Sequence, residues 1–237
     1  MKIFDFKKKK ADKLHTEARQ LHDEGKDDDA IAKYLDAIDL DPFKSETYYN
    51  LGLIYKYQGE WQKSFDLNQK ANTLNPEDES ARWNLAIAAT ALQNWSVARK
   101  MWQENGMALD GSEGPIEMDF GMTPVRLNPD DHGEVVWATR IDPVRARIES
   151  IPFPESGFHH GDVVLHDGAA VGYRKQGGRE YPVFNVLEMF ALSSFATRIA
   201  TISIENETDI DALEEAFATT HSIYRSEERR VGKECVS

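Results

Sequence analysis

The hydrophobic pattern of this chain changes period once. Up to about residue 106 the apolar positions recur at helical spacing, and past residue 132 they alternate with polar ones as in half-buried strands. The stretch between, residues 107–131, carries Gly111, Gly114 and Gly121 with Pro115, Pro124 and Pro129, which mark an irregular linker. The pattern predicts α + β in two parts: an all-α solenoid of about three helix pairs, then a small antiparallel α+β domain.

Within the helical part small and turn-forming residues repeat at a step of 34. Gly25 and Gly59 stand 34 apart, as do Ala37 and Ala71, and Pro42 and Pro76; Ala30, Ser64 and Ala98 carry the step into a third unit. Small residues let paired helices approach closely, and a proline cannot continue a helix, so it sets the turn into the next unit. The second unit is the clearest: Tyr48-x-x-Leu51-Gly52-x-x-Tyr55, then Gly59, Ala71 and Pro76. This resembles the tetratricopeptide repeat (TPR), a helix–turn–helix unit of that length. The units are placed at 11–44, 45–78 and 79–106. The first departs at its front, with Leu14, Glu17, Ala18 and Leu21, and the third keeps Leu85, Ala86, Ala98 and Trp102 but loses the glycine and the closing proline. Residues 1–10 are read as a basic tail.

The resemblance implies that function lies on a concave face formed by the first helix of each pair. It places His15, Arg19 and His22 there in the first unit, Tyr49, Asn50, Leu53 and Lys56 in the second, and Trp83, Asn84 and Ile87 in the third. Repeats that clamp a peptide's terminal carboxylate use basic residues and asparagines at such positions. Asn50 fits that pattern, and Arg19 and Lys56 supply charge, but the third unit offers no second basic pair. Tyr49, Leu53, Trp83 and Ile87 instead form an apolar, aromatic stripe. Two readings of the stripe stay open: a groove for a partner peptide or helix, or a face covered by the chain's own downstream segment.

In the second half, Val135–Ala138 and Val144–Glu149 read as paired strands. Asp162–His166 is predicted to turn back at Asp167-Gly168, a hairpin signal, into Val171–Arg174. Gly177-Gly178 then turns the chain into Tyr181–Val186, and Arg198–Glu205 alternates again. Thr208 and Asp211 look like a capping pair ahead of a helix with Ile210, Leu213 and Phe217 on one face. This domain, spanning 132–224, vaguely resembles domains fused behind such repeats in bacterial proteins of unassigned function.

Composition narrows the chemistry. A net charge of −13, from 41 acidic and 28 basic residues, disfavours non-specific attachment to nucleic acid or anionic membranes. No apolar run approaches the roughly 18 residues of a membrane span, and Lys7–Lys10 interrupt any secretory signal, so the cytoplasm is the expected compartment. The single cysteine, Cys235, excludes an internal disulfide framework. It lies in Arg225–Ser237, which resembles the translation of a sequencing-library adapter and is expected to be foreign to the natural, longer chain.

No nucleotide-binding glycine loop, nucleophile elbow or His-Glu-x-x-His helix occurs. Ser193-Ser194 has an apolar setting and reads as packing. The one cluster worth testing as a metal site is His160 and Asp162 with His166, beside His159; its spacing matches no known ligand pattern. The sequence therefore predicts no catalytic residue, metal or cofactor, and a non-enzymatic adaptor whose concave face binds a partner peptide or helix. The competing reading is a metal-dependent hydrolase in the second half with the repeats as its targeting arm. A lipid anchor at Phe4, Phe6 and Lys7–Lys10 reads as weak for a ten-residue tail, and neither nucleic acid nor membrane is expected as a partner; the oligomeric state is left open.

Overall fold

The computed structural model describes residues 2–131 and 133–198, together with 209, 211, 212 and 215, and side chains from residue 5 onward. Contacts divide the chain into two units, Met1–Glu117 and Met118–Ser237.

Six helices build the first unit: α1 (Lys2–Asp23), α2 (Asp27–Leu40), α3 (Ser45–Tyr57), α4 (Trp61–Leu74), α5 (Glu79–Ala91) and α6 (Trp95–Glu104). Each packs on the next in chain order, giving three helix pairs. The stretch read as a basic tail is a correction: from Lys2 it is the continuous start of α1. Its four lysines are good helix formers and exposed, so propensity favours the helix even though cations near its N-terminus do not.

The 34-residue step is visible as geometry. Gly25 and Gly59, with φ of 73° and 70°, occupy the left-handed region between the helices of the first two pairs. In the third pair the equivalent residue is Gln93, and it adopts the same region at φ 55° despite its side chain. At the crossing within each pair Ala18, Ala30, Ala86 and Ala98 are fully buried. The second pair is tighter still. Ser64 Oγ donates to the Gly52 carbonyl at 2.9 Å, and Asn68 Nδ2 donates to the Ser64 carbonyl at 2.9 Å. A methyl group on Gly52 would stand 2.6 Å from that Asn68 nitrogen.

Larger side chains fill the layers. Tyr34, Leu51 and Ile54 close over Ala18 and Ala30, while Tyr48 packs with Ala71 and Ala81. Each fully buried Leu or Ile contributes about 1.5–3 kcal/mol. Tyr48 also donates its hydroxyl to the Pro42 carbonyl at 3.2 Å, fixing the turn between units. The α5 and α6 helices start on side-chain caps, Asp78 accepting from Ser80 and Ala81 and Asn94 from Val97. Past α6 the chain is held by one buried guanidinium. Arg99 donates Nε to the Gly114 carbonyl at 2.7 Å, Nη1 to Asp110 at 2.9 Å and Nη2 to Pro115 at 3.0 Å.

The second unit is a five-stranded closed barrel: β1 (Met122–Leu127), β2 (Glu134–Arg140), β3 (Arg145–Ile148), β4 (Val163–Gln176) and β5 (Arg179–Ala191). Neighbours in sequence pair antiparallel, and β1 closes on β5 in parallel through Val125–Phe184 and Arg126–Asn185. The expected antiparallel sheet is thus mixed, because a five-strand meander that closes must bring its first and last strands together in the same direction. Val125, Leu127, Val136, Ala138, Ala146, Ile148, Val164 and Val186 form the core, at alternate positions on each strand.

Two further expectations are corrected. The linker ends at residue 121 rather than 131, since β1 begins at Met122. Pro124 disguised that strand. It lies opposite Trp137, whose own N–H donates to Ser150 Oγ at 3.0 Å, so no ladder bond needs the missing proline donor there. Second, Asp167-Gly168 is not a turn. β4 runs through it, and the pairing with β5 slips on both sides of His166, so the pair sits in a bulged stretch. The turn falls at Gly177-Gly178, with φ of 57° and 76°, as a two-residue hairpin loop requires. Arg198 lies outside any strand. The remainder of the alternating stretch 199–205, the Thr208 cap and Ile210, Leu213 and Phe217 lie outside the described residues, as does the 225–237 tail; Asp209, Asp211, Ala212 and Glu215 are helical.

Two substitutions test the repeat geometry. Gln93→Gly should raise stability by about 0.5–1 kcal/mol in urea unfolding, because relief of the left-handed strain exceeds the added chain entropy. Gly52→Ala should cost roughly 1–3 kcal/mol, since Asn68 is bonded in place and cannot retreat. In an Asn68→Ala background the same change should cost less than about 1 kcal/mol, a coupling readable as a double-mutant cycle.

Candidate functional site

The concave-face candidates lie on α1 (His15, Arg19, His22), α3 (Tyr49, Asn50, Leu53, Lys56) and α5 (Trp83, Asn84, Ile87). The helical step sets them on one side of each helix, but several polar ones turn toward neighbouring residues of the array. His15 is half-buried between α1 and its neighbours. Its ring meets Tyr34 edge-on at 5.5 Å, Nδ1 bonds to Thr47 Oγ1 at 3.0 Å, and Asn50 Nδ2 donates to Nε2 at 3.5 Å. Burial lowers its pKa below the ordinary 6.5, so it is neutral at pH 7. His22 bonds to Asp27 at 2.7 Å and ties α1 to the start of α2.

Lys56 is buried, and its ammonium donates to Asn84 Oδ1 at 3.3 Å and lies 4.4 Å over the Tyr57 ring. The Lys56–Asn84 bond therefore joins the second and third units across the face. Trp83 packs edge-to-face on Trp102 at 4.9 Å, and its buried indole nitrogen has no hydrogen-bond partner. Trp102 donates to Thr90 at 3.3 Å. Ile87 is fully buried. Tyr49 packs in part with Tyr48, Ala71 and Ala81. Leu53 is half-buried and Arg19 exposed. Tyr57, 55% exposed on the last turn of α3, was missed by sequence reading. Its one signal was an aromatic side chain directly after a concave-face lysine.

The arrangement brings together a row of apolar and aromatic side chains with a cation at one edge.

The second-unit cluster does not converge. His159–Asp162 form a turn ahead of β4, with Gly161 at φ 81°. Both Asp162 oxygens are occupied, accepting the backbone N–H groups of Ser193 and His159 at 2.7 Å each. His160 Nδ1 lies 3.0 Å from the Glu149 carbonyl, and its ring stacks edge-on with Phe195 at 5.1 Å. Ser193 also donates its hydroxyl to the His160 carbonyl at 2.7 Å, so it braces this turn. His166 sits apart, inside the barrel. Among the described residues no group of three His, Cys, Asp or Glu is placed to hold a metal ion.

His166 is instead a buried neutral group. Its Nδ1 donates to the Asp167 carbonyl at 2.8 Å, which fixes the proton on Nδ1; the ring stacks on Phe184 at 5.0 Å and Nε2 has no partner. Burial pushes its pKa down from 6.5 to about 4, against opposing pulls from the Asp167 carbonyl and Asp142. Asp142 is itself engaged, accepting from the Val144 and Arg145 amides and pairing with the buried Arg145 guanidinium at 2.5 Å.

Three stacked helix pairs define a helical-repeat scaffold. The family profile described as TPR repeat matches residues 18–59, within the helical half. Among solved structures the chain is similar to the first TPR of Spaghetti (RPAP3) bound to the HSP90 peptide SRMEEVD, at 25% identity over 40% of this chain and 76% of that one, with a TM-score of 0.39. It is also similar to the second TPR of the same protein (18% identity, 44% and 95% covered, TM-score 0.42). A further likeness is to the TPR2B domain of yeast Sti1 in its pHsp70 complex (18% identity, 40% and 76% covered, TM-score 0.38). No curated protein matches the chain.

Burial of His166 makes an acid limb in stability. The unfolded chain takes the proton near pH 6.5 and the folded one only near pH 4, so stability falls as pH drops through that window and levels off below it. The loss attributable to His166 is on the order of 3 kcal/mol. Urea unfolding of the wild type against His166→Gln, with hydrogen exchange read in β4 and β5, should show a shallower slope for the variant between pH 6.5 and 4.

Proposed function

We propose that this protein is a non-enzymatic adaptor that holds a peptide or helix of a partner protein on the concave face of its repeat array. One observation carries the reading. Candidate polar groups bond to one another, His15 with Asn50 and Lys56 with Asn84, while Tyr49, Leu53 and Trp83 are half-buried and Arg19 is exposed.

Such a surface favours a segment anchored by large apolar side chains, an amphipathic helix or an extended peptide, with an acidic residue toward Arg19. It disfavours a bare terminal carboxylate as the main anchor, because Lys56 would have to leave Asn84 and its place over Tyr57 to meet it. The cytoplasm is the compartment in which we place this activity.

The full chain, immobilised and presented with a random-peptide display library, should enrich peptides carrying two or more large apolar residues. Leu53→Glu should weaken the selected peptides at least about tenfold, and Arg19→Glu severalfold, with unchanged helical circular dichroism. These positions are chosen because Trp83 and Tyr49 also serve the packing between helices. No enrichment, or peptides indifferent to both substitutions, would remove the groove from consideration.

A further inference from the structure

Helix α1 is longer than its pair requires. It spans 22 residues while its antiparallel partner α2 has 14, so the stretch before about Lys10 runs beyond the pair. At 1.5 Å per residue this overhang is roughly 12 Å of helix. Residues 5–10 are all exposed, and Ala11 is the first buried position. On the overhang Phe6 is 69% exposed. Lys7, Lys8, Lys9 and Lys10 follow it without interruption; at 100° per residue they point to four sides and make a collar around the helix.

Acids offset the collar only in part: Lys8 lies near Asp12, Asp41 and Glu46, which line the same hollow, and, behind the Lys44 hydrogen bond, it helps hold the Asp12 carboxyl below its ordinary range. Lys9 pairs with Asp5 at 3.4 Å with both groups exposed, an arrangement of little energy. Lys7, Lys8 and Lys10 have no carboxylate within ion-pair distance among the described residues. The Asp27-Asp28-Asp29 run lies at the other end of α1, at the start of α2. In a chain of net charge −13, four consecutive cations on a preformed helix are a local reversal of sign.

We propose that this overhang docks on an anionic phospholipid surface, the lysines meeting headgroup phosphates and Phe6 entering the interfacial layer. A large exposed aromatic directly ahead of a lysine cluster suits a lipid interface, which takes both. A nucleic-acid backbone takes only the cations, and a polyanion long enough to lie along the array would meet acidic surface. A membrane needs to touch only the overhang, and about 12 Å of helix exceeds the screening length of roughly 8 Å at physiological salt. The helix also answers the objection that a short tail binds weakly. Its residues are already ordered, so docking does not bear the cost of folding them.

Each lysine near an anionic surface is worth about fivefold in partitioning. The full chain should therefore sediment with vesicles of phosphatidylcholine containing 30% phosphatidylserine (about that fraction suffices) and not with phosphatidylcholine alone. Replacing Lys7, Lys8, Lys9 and Lys10 together by Gln should reduce partitioning by about a hundredfold or more, and Phe6→Ala by about threefold, with unchanged helicity. Equal sedimentation with both vesicles, or indifference to the lysine substitutions, would overturn the proposal. Retention of a single-stranded oligonucleotide in place of the vesicles, with the same lysine dependence, would overturn it in favour of nucleic acid. No response to Phe6→Ala would overturn the insertion of that side chain. The proposal goes beyond the adaptor reading and is independent of it, since residues 6–10 carry none of the concave face.

Discussion

The close crossing of α3 and α4 is the constraint on which the helical half depends. Backbone meets side chain there with no room for a methyl group, because Asn68 and Ser64 fill the space over Gly52 and bond to each other and to its carbonyl. A repeat stack has no single deep core, so its stability is a sum of such interfaces between neighbours. The middle pair touches both others, which makes its crossing the one that sets the spacing of the concave face. The Lys56–Asn84 bond is a consequence: it forms only because α3 and α5 are held at a fixed separation by the layers behind them.

The barrel solves a different problem. Its strands are short, apart from β4 and β5, and closing β1 onto β5 removes the unpaired edges that an open five-stranded sheet would expose. Closure places a bulged stretch of β4 inside, and with it a histidine that can never be comfortably charged. The buried Asp142–Arg145 pair holds the β2–β3 turn beside it with hydrogen bonds to every oxygen it presents. The Asp142 carboxylate thus fixes this loop.

How much of this was legible follows from what each signal measures. The 34-residue step reports small residues at helix crossings, and it placed the three helix pairs because crossings are the property that cannot vary, though it missed the start of α1. It did not point to Gln93, where the third unit lost its glycine, yet the structure gives that residue the same left-handed backbone. The barrel was harder. Asp167-Gly168 carries strong turn chemistry, but a turn and a bulge both need a break in regular pairing, and local sequence does not tell them apart. Pro124 argued against a strand, yet its missing donor fell at a non-bonded pair. The Arg99 clamp had no signal at all, since its partners are backbone carbonyls that any sequence supplies. Of the site, the apolar row was readable from periodicity. The internal bonding of His15 and Lys56 was not, because it depends on inter-helix distance.

That internal bonding shapes what the concave face can select. A histidine held neutral and a lysine already donating to an asparagine offer little to an incoming anion, and displacing either leaves a buried partner unsatisfied at about 1–3 kcal/mol. Apolar contact with Tyr49, Leu53 and Trp83, all half-buried, carries no such penalty. On the proposed reading, specificity would come from the spacing of apolar anchors set by the repeat geometry, with the exposed Arg19 as a nearby charge on α1. The basic overhang of α1 stands outside this economy of internal bonds: its lysines are ordered by the helix but committed to no partner in the array. The same chain thus presents one face whose charges are spent within the fold and one segment whose charges are left exposed, and only the second is suited to a diffuse anionic surface.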